Sequence, residues 1–581
     1  MKSSGVLYIK PSSLEPLEHR IAPANLVVTT LADDGDGSLR QAIADSNASD
    51  GKDTIKFAKG LTGTISLTTG ELLITGDLDI KGPGNGKVII DAGANSRIFN
   101  IDDSTNAVKT VGISGLSLIN GKTTGDGGAI FTKESLILQK SLISGSSADS
   151  KGGGIYVRNT ASTDGNGILT IKDSTIQSNT SGSYGGGVVV HSKGDVKITG
   201  STIRGNTSGG NIGGLYIDID STGTGNTFLK NVTITGNVAA SNKGGAGFDH
   251  DRAGGTVTIT GSEISNNSAT GSTGGVYFDK GTAIISKSII SSNTALNGNA
   301  GGIHIDSLDS FTMTKSTVQY NAAKGADGLG GGLAALNGGV AKIVGSTFIG
   351  NTSEASGGGI AVGSATVLEI TGSKFIANQT DVVGGGIFGS NTTTIKVSGT
   401  TFSNNQSVDD GAGIGLTDAA NLDVAKSTFS SNNAGNDGGG IRFLSSGALH
   451  VSGSKFLDNT AQASGGGLYS DGTGTVDIVS SLFARNQALN SNGGGLYLSN
   501  SSASSITKTS ILNNFSKSNG GGIGIGDGTL TLTSSKIIGN SAGNIGGGLW
   551  NNTATPVDLI ATIISGNIAA TDPNISGMVN A

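Results

Sequence analysis

Ser427–Phe443 reads STFSSNNAGNDGGGIRF, and Ser454–Ser470 reads SKFLDNTAQASGGGLYS. Laid one under the other, the two stretches place Ser427 on Ser454, Phe429 on Phe456, Asn432 on Asn459 and Ile441 on Leu468, with a Gly-Gly-Gly run before each of the last pair. Working outward, the apolar residue after the small-residue cluster recurs at Ile130, Ile155, Val188, Leu215, Phe248, Val276 and Ile303, then from Leu333 to Leu549 at steps of 27, 27, 27, 27, 27, 28, 27 and 26. A fixed period of this length marks one supersecondary unit copied many times.

A second column carries the same period. Asparagine recurs from Asn179 to Asn567, and three residues before each copy sits Ile, Val or Phe; six copies in a row, Phe348 to Phe483, are phenylalanine. Two residues earlier still the position is Ser or Thr in every copy but Val232. A third segment alternates apolar and polar, as in Leu449-His450-Val451 and Val476-Asp477-Ile478. Alternation over a few residues is a strand signal, and the Gly, Asn and Ser clusters between are turn signals. The pattern predicts three short strands per unit and no helix.

One such unit cannot bury enough apolar surface to order itself, so the units must stack, each strand pairing with its copy in the next turn. Copies related by translation run parallel, and the chirality of parallel connections predicts a right-handed parallel β-helix. We expect an all-β solenoid of about 16–19 coils, estimated from the ~27-residue period. Glycine should supply the left-handed corners. Asparagine should tolerate that same conformation and form an amide ladder along the rod. The phenylalanines should form an internal stack. These columns are expected to be structural, not catalytic.

Composition agrees with this reading. Of 581 residues 100 are glycine, charged residues make up 14%, and the net charge of −6 argues against nucleic acid or an anionic membrane as partner. No apolar run is long enough for a transmembrane helix, and the absence of cysteine excludes disulfides and thiol chemistry.

The N-terminal region departs from the period. Residues 1–25 are expected to be an export or sorting segment, 26–120 a cap and first coils, 121–570 the regular array and 571–581 a tail. In the run from Asp33 to Ile43, Ser38 and Gln41 fit a capping box, and Leu39, Ala42 and Ile43 share one helix face. A lone helix ahead of a solenoid should cover the open edge of its first coil.

Leu14 to Ala24, LEPLEHRIAPA, resembles a signature near the start of many large bacterial surface proteins. Ser38 to Ile43, SLRQAI, resembles the "CSLREAI" segment of bacterial β-helix surface proteins, with Gly37 where that family has cysteine. Gly127-Gly-Ala-Ile130 and Phe375-Ile-Ala-Asn378 are similar to the repeats of polymorphic outer-membrane proteins, which are autotransporter adhesins. The resemblance implies a pectin-lyase-like right-handed β-helix displayed outside the cell or at its surface, associated with the outer membrane.

The functional candidates come from aligning coils on the apolar residue after the glycines. Strand parity sends the first and third residues beyond it outward. The third positions then read Lys133, Arg158, His191, Asp218, Asp251, Asp279 and Asp306, and the first positions include Phe131, Tyr156, Tyr216, Asp249, Tyr277 and His304. A file of carboxylates at ~4.8 Å spacing admits three readings. It is a solvated face, or it binds a cation or glycan, or it is catalytic. As a metal site, Asp218, Asp251, Asp279 and Asp306 would hold Ca²⁺ through hard oxygen ligands, with Asp249, Tyr216, Tyr277 and His304 lining an extracellular polysaccharide. As a catalyst, Asp251 and Asp279 would form a retaining glycosidase pair, or Arg158 or Lys133 would serve as the base of a Ca²⁺-dependent lyase. No other cofactor is implied. The primary expectation is a display, adhesion or glycan-binding rod without catalysis. The longer coils, Ile155 to Val188 and Leu215 to Phe248, are expected to add loops beside this face, and His250 falls on the inward parity.

Overall fold

The computed structural model describes residues 24–159, 167–250, 255–364 and 366–580. Among them the chain winds a right-handed parallel β-solenoid of about 20 turns, slightly more than the sequence period suggested. Stacking at the ~4.8 Å strand spacing makes it roughly 95 Å long.

Each regular coil carries four strands where the pattern predicted three. In one coil these are Ile441–Phe443, Leu449–Ser452, Lys455–Leu457 and Thr460–Ala461. Stacked copies form four parallel sheets, named here first to fourth in that order. The fourth strand is two residues long and follows the repeated Asn directly, too short for alternation to reveal it. Register is strict. Leu333 pairs with Ile360, Ile360 with Ile387, Ile387 with Ile414, and so on to Ile523 with Leu549.

The interior is a set of columns. Phe348, Phe375, Phe402, Phe429, Phe456 and Phe483 are fully buried, with successive ring centroids 5.0, 4.8, 4.7, 4.7 and 4.4 Å apart and planes within 10°. The asparagines beside them form the expected ladder. Asn405 donates from Nδ2 to Oδ1 of Asn432 at 2.9 Å and to the carbonyl of Phe375 at 3.0 Å, while its backbone N–H donates to the same Oδ1 at 3.1 Å. A parallel ladder runs through the serines, with Ser346 N–H donating to Ser373 Oγ at 3.2 Å and Ser373 N–H to Thr400 Oγ1 at 3.3 Å.

Two conformational expectations need correction. The ladder asparagines do not take the left-handed conformation; the residue before each one does, as at Ala377 (φ 51°), Asn404 (φ 55°), Ser431 (φ 55°) and Asp458 (φ 55°). That residue makes the corner, and the Asn after it turns its amide inward. In the triplet Gly384–Gly386 only Gly384 has positive φ, 78°. The other two are glycine because the next coil leaves no room: a Cβ on Gly385 would lie 2.4 Å from the Gln406 carbonyl, and one on Gly386 2.4 Å from that of Gly413.

Helix α1 (Leu39–Asn47) buries Leu39, Ala42 and Ile43 against the first turn. Ser38 Oγ accepts from the Gln41 backbone N–H at 3.1 Å, but Gln41 closes no capping box; its amide donates to Asp45 at 2.7 Å. Asn47 satisfies the open edge of strand Leu72–Ile74. It donates to the Leu73 carbonyl at 2.8 Å and accepts from Thr75 N–H at 2.9 Å, in the manner of a missing neighbour strand. At the other end, Ile575–Ser576 and Val579–Asn580, within the expected tail, add short parallel pairings to the last full turn.

Candidate functional site

The outward file on the first sheet exists, with one substitution. Arg158 pairs with His191, His191 with Asp218, Asp218 with Asp249, Asp249 with Asp279 and Asp279 with Asp306. Phe248 is not the marker residue of its coil but stands two residues beyond it. It lies opposite Ile217 and Phe278, and Ala246 takes the place of Leu215. Ala246 and Gly247 are small and so read as part of the glycine cluster. Asp249 therefore stands where Asp251 was expected; Asp251 itself lies outside the described residues. His250 pairs in unbroken register with Ile219.

The first positions point out of the barrel, yet they are covered. Tyr156, Val189, Tyr277 and His304 are all buried. The turn preceding each glycine cluster folds over them. At Gly247 an added Cβ would lie 2.7 Å from Ile212 Cδ1, and Tyr184 lies 5.8 Å, centroid to centroid, from Tyr216. Alternation predicts direction from the strand; it is blind to a neighbouring turn.

The N-terminal half of the strip is mixed in charge. Lys133 pairs with Asp102 at 2.7 Å, and Arg158 is exposed. His191 Nδ1 lies 2.8 Å from Asp218 Oδ2, its ring edge-on between Tyr156 and Tyr216 at 5.6 and 5.7 Å. Burial, reinforced by Asp126 and Asp218 and opposed by Arg158, pushes the Tyr156 hydroxyl up to about 12. A depression of ≈ 340 Å³ opens between Asp126, Lys151, Tyr156, Arg158 and His191.

The C-terminal half is organised by a residue that the strand pattern missed, Lys243. Its Nζ sits 3.3 Å from the centroid of the Tyr277 ring, within reach of the charges of Asp249, Asp279 and Asp306. Burial pushes the amine down, and the three carboxylates oppose that. Tyr277 donates to Asp306 Oδ2 at 3.3 Å, and Asn337 from the next coil donates to Asp306 Oδ1. Burial would raise the Asp306 carboxyl, but those hydrogen bonds and the neighbouring His304 hold it below its ordinary value. His304 lies 3.1 Å from Thr273 Oγ1 and is pushed down to about 4 by burial, opposed by Asp306 and aided by Lys243, so it is neutral at pH 7. Lys243 lies in the turn before the glycines, in a bridge with Thr273, the same turn in which Lys151 pairs with Tyr184. That shared turn position was the available signal.

Lys243 thus places one positive charge among the later members of the file proposed for Ca²⁺. Among the described residues, Asp102, Asp103 and Glu134 are the acids whose oxygens converge within 4.8 Å; Asp102 is tied to Lys133, and Glu134 accepts the Lys109 N–H at 2.7 Å.

Two family profiles match the chain. One, described as the right handed beta helix region, covers residues 326–483; the other, described as periplasmic copper-binding protein (NosD), covers 139–361. No curated protein matches the chain. Coil register, buried ladders and the first profile together define a right-handed parallel β-helix protein. Among the described residues no helix is long and apolar enough to cross a membrane.

Proposed function

We propose that this protein is an exported rod of the periplasm or cell surface that binds a neutral polysaccharide along the first sheet without transforming it. The carrying observation is the continuous strip from Arg158 to Asp306. There one charged or titratable side chain per coil, Arg158, His191, Asp218, Asp249, Asp279 and Asp306, stands in register over a distance suited to an extended polymer. A file of charged, hydrogen-bonding side chains suits sugar hydroxyls, and the half-buried ring of Tyr216 beside it suits a sugar's apolar face. Lys243 offsets the acids only in part, which favours a neutral chain over a uronic-acid polymer. The copper-binding description of the second profile does not extend to these residues. There is no cysteine, Met313 is buried in the core, and His191 and His304 lie in coils about 19 Å apart by strand spacing.

Hydrolysis at this strip would need a carboxyl held protonated as general acid. Asp306 is instead held below its ordinary range, so it is not that acid. The test is affinity electrophoresis through gels containing galactomannan, xyloglucan or dextran, with polygalacturonate as the anionic comparison. Retardation is expected in at least one neutral polymer, weakened about tenfold by Asp279→Asn/Asp306→Asn through loss of charge-assisted hydrogen bonds. Retardation in none of the neutral gels overturns the proposal. Release of reducing ends, or new absorbance at 235 nm with polygalacturonate, would overturn its non-catalytic part.

A further inference from the structure

Six coils beyond Asp306 the same arrangement of side chains recurs on the same sheet. Tyr469 donates to Asp471 Oδ2 at 3.1 Å, and Asn500 from the following coil donates to Asp471 Oδ1. This is the bonding of Tyr277 and Asn337 to Asp306. Asp306 and Asp471 each stand three residues past their coil's apolar marker, Ile303 and Leu468, and Asn337 and Asn500 each stand four past theirs, Leu333 and Leu496. The tyrosine is one coil earlier in the first case and in the same coil as its aspartate in the second.

A second correspondence is independent of these bonds. Tyr216 lies opposite Gly247 in the next coil, and Tyr497 opposite Gly524. At Gly524 the ring takes the space itself, since an added Cβ would lie 3.1 Å from Tyr497 Cδ2; at Gly247 Tyr216 Cδ2 would lie 3.6 Å away, behind Ile212 Cδ1 at 2.7 Å. The later cluster adds a ring pair, Tyr469 on Tyr497 with centroids 5.5 Å apart and planes 12° apart. It also carries its own cation, Arg442, which pairs with the buried Asp410 at 3.2 Å and stands beside Tyr469 in the register. Burial, together with Asp437 and Asp471, raises the Tyr469 hydroxyl, so it remains a donor.

The five coils between Asp306 and Asp471 carry Ala334, Ala361, Phe388, Gly415 and Arg442 at the same outward position. The constellation is therefore not a by-product of the repeat, because the repeat permits small residues there. We propose that Tyr469, Asp471, Tyr497 and Asn500 form a second polysaccharide subsite, in line with the first, so that one long neutral chain engages both. This rests on the first strip being a polysaccharide surface. The two sites are about 29 Å apart at six strand spacings, fixed by a rigid shaft. A polymer that spans both gains affinity through effective concentration; a fragment shorter than the gap does not.

The experiment compares wild type with Tyr469→Phe/Asp471→Asn, with Tyr497→Ala, and with the first-site variant Asp279→Asn/Asp306→Asn. Probes are galactomannan, xyloglucan and dextran, each as the full polymer and as fragments of about four sugars. Circular dichroism and melting temperature confirm the fold, and the near-isosteric double variant serves where Tyr497→Ala melts early. Wild type should bind two fragments per chain and each single-site variant one, with polymer affinity falling at least tenfold in each. If the Tyr469/Asp471 and Tyr497 variants bind polymer and fragments like wild type while the first-site variant is impaired, the second subsite is refuted and the first stands. If the reverse holds, the first strip fails as the primary surface. If wild type binds none of the probes, both readings fall.

Discussion

Replacing Asn432 by alanine tests the ladder that holds neighbouring coils together. Its Oδ1 accepts both the backbone N–H of Asn405 (3.1 Å) and the Nδ2–H of Asn405 (2.9 Å), and its own Nδ2 donates to the Phe402 carbonyl (3.0 Å) and to Asn459 Oδ1 (2.9 Å). Asn459 Oδ1 keeps a partner in the mutant, since the backbone N–H of residue 432 also donates to it at 3.1 Å. The Asn405 backbone N–H keeps none, and Asn405 Nδ2 loses one of its two bonds, retaining the Phe375 carbonyl; the residue is fully buried. Stranding a buried donor costs about 1–3 kcal/mol, so the substitution, which also removes the other bonds of Asn432, should cost roughly 3–5 kcal/mol. In a solenoid the damage stays near its source because each coil contacts only its neighbours. Hydrogen exchange followed by mass spectrometry should show protection falling by about 10²–10³ around Asn405 and Asn459, with the coils around Asn206 unchanged. A loss under about 1 kcal/mol, or one spread evenly along the rod, would refute the argument that the ladder bonds are individually required.

Other expectations follow from charge. The Asp437 carboxyl is pushed up to about 6 by burial, with the hydrogen bond from Ser464 N–H opposing and Asp410 adding to the rise. A carboxyl whose pKa is raised on folding is a liability once ionised, so stability falls as pH rises from about 4 through 6. Asp437→Asn should raise the melting temperature at pH 7.5 by an amount equivalent to ~1 kcal/mol after allowance for solvent screening, and change little at pH 4; thermal melts across that range check it. Lys243→Met should do the opposite. Without the ammonium, Asp249, Asp279 and Asp306 repel one another when ionised, so the melting temperature should drop at pH 7.5 and recover as pH falls through the carboxylate range. An equal drop at both pH values would mean that Lys243 acts through packing alone.

Much of this architecture was legible because it is periodic. Asn432 and Phe429 sit at the same place in coil after coil, and a parallel stack is the arrangement in which identical residues all find identical surroundings. What stayed hidden lies between the regular segments. Lys243 reaches the acidic file from a turn, where no alternation rule says which way a side chain points. Asp249 falls two residues from its true role, on the same outward parity, because Ala246 and Gly247 resemble the glycines before them. The fourth strand, at two residues, is too short to carry a pattern. Tyr469, Asp471 and Asn500 lie beyond the acidic run that ends at Asp306, and what they share with it is a hydrogen-bond pattern that residue spacing does not carry.

The asparagine ladder has a consequence for how such a shaft can change length. Every coil offers the same amide donors on one side and the same acceptors on the other, so any coil fits any neighbour. Excising or duplicating a block such as Phe429 to Lys455 would leave a junction chemically indistinguishable from those already present. The gap separating Asp306 from Asp471 is therefore adjustable in whole-coil increments, like notches on a ruler, with neither end redesigned.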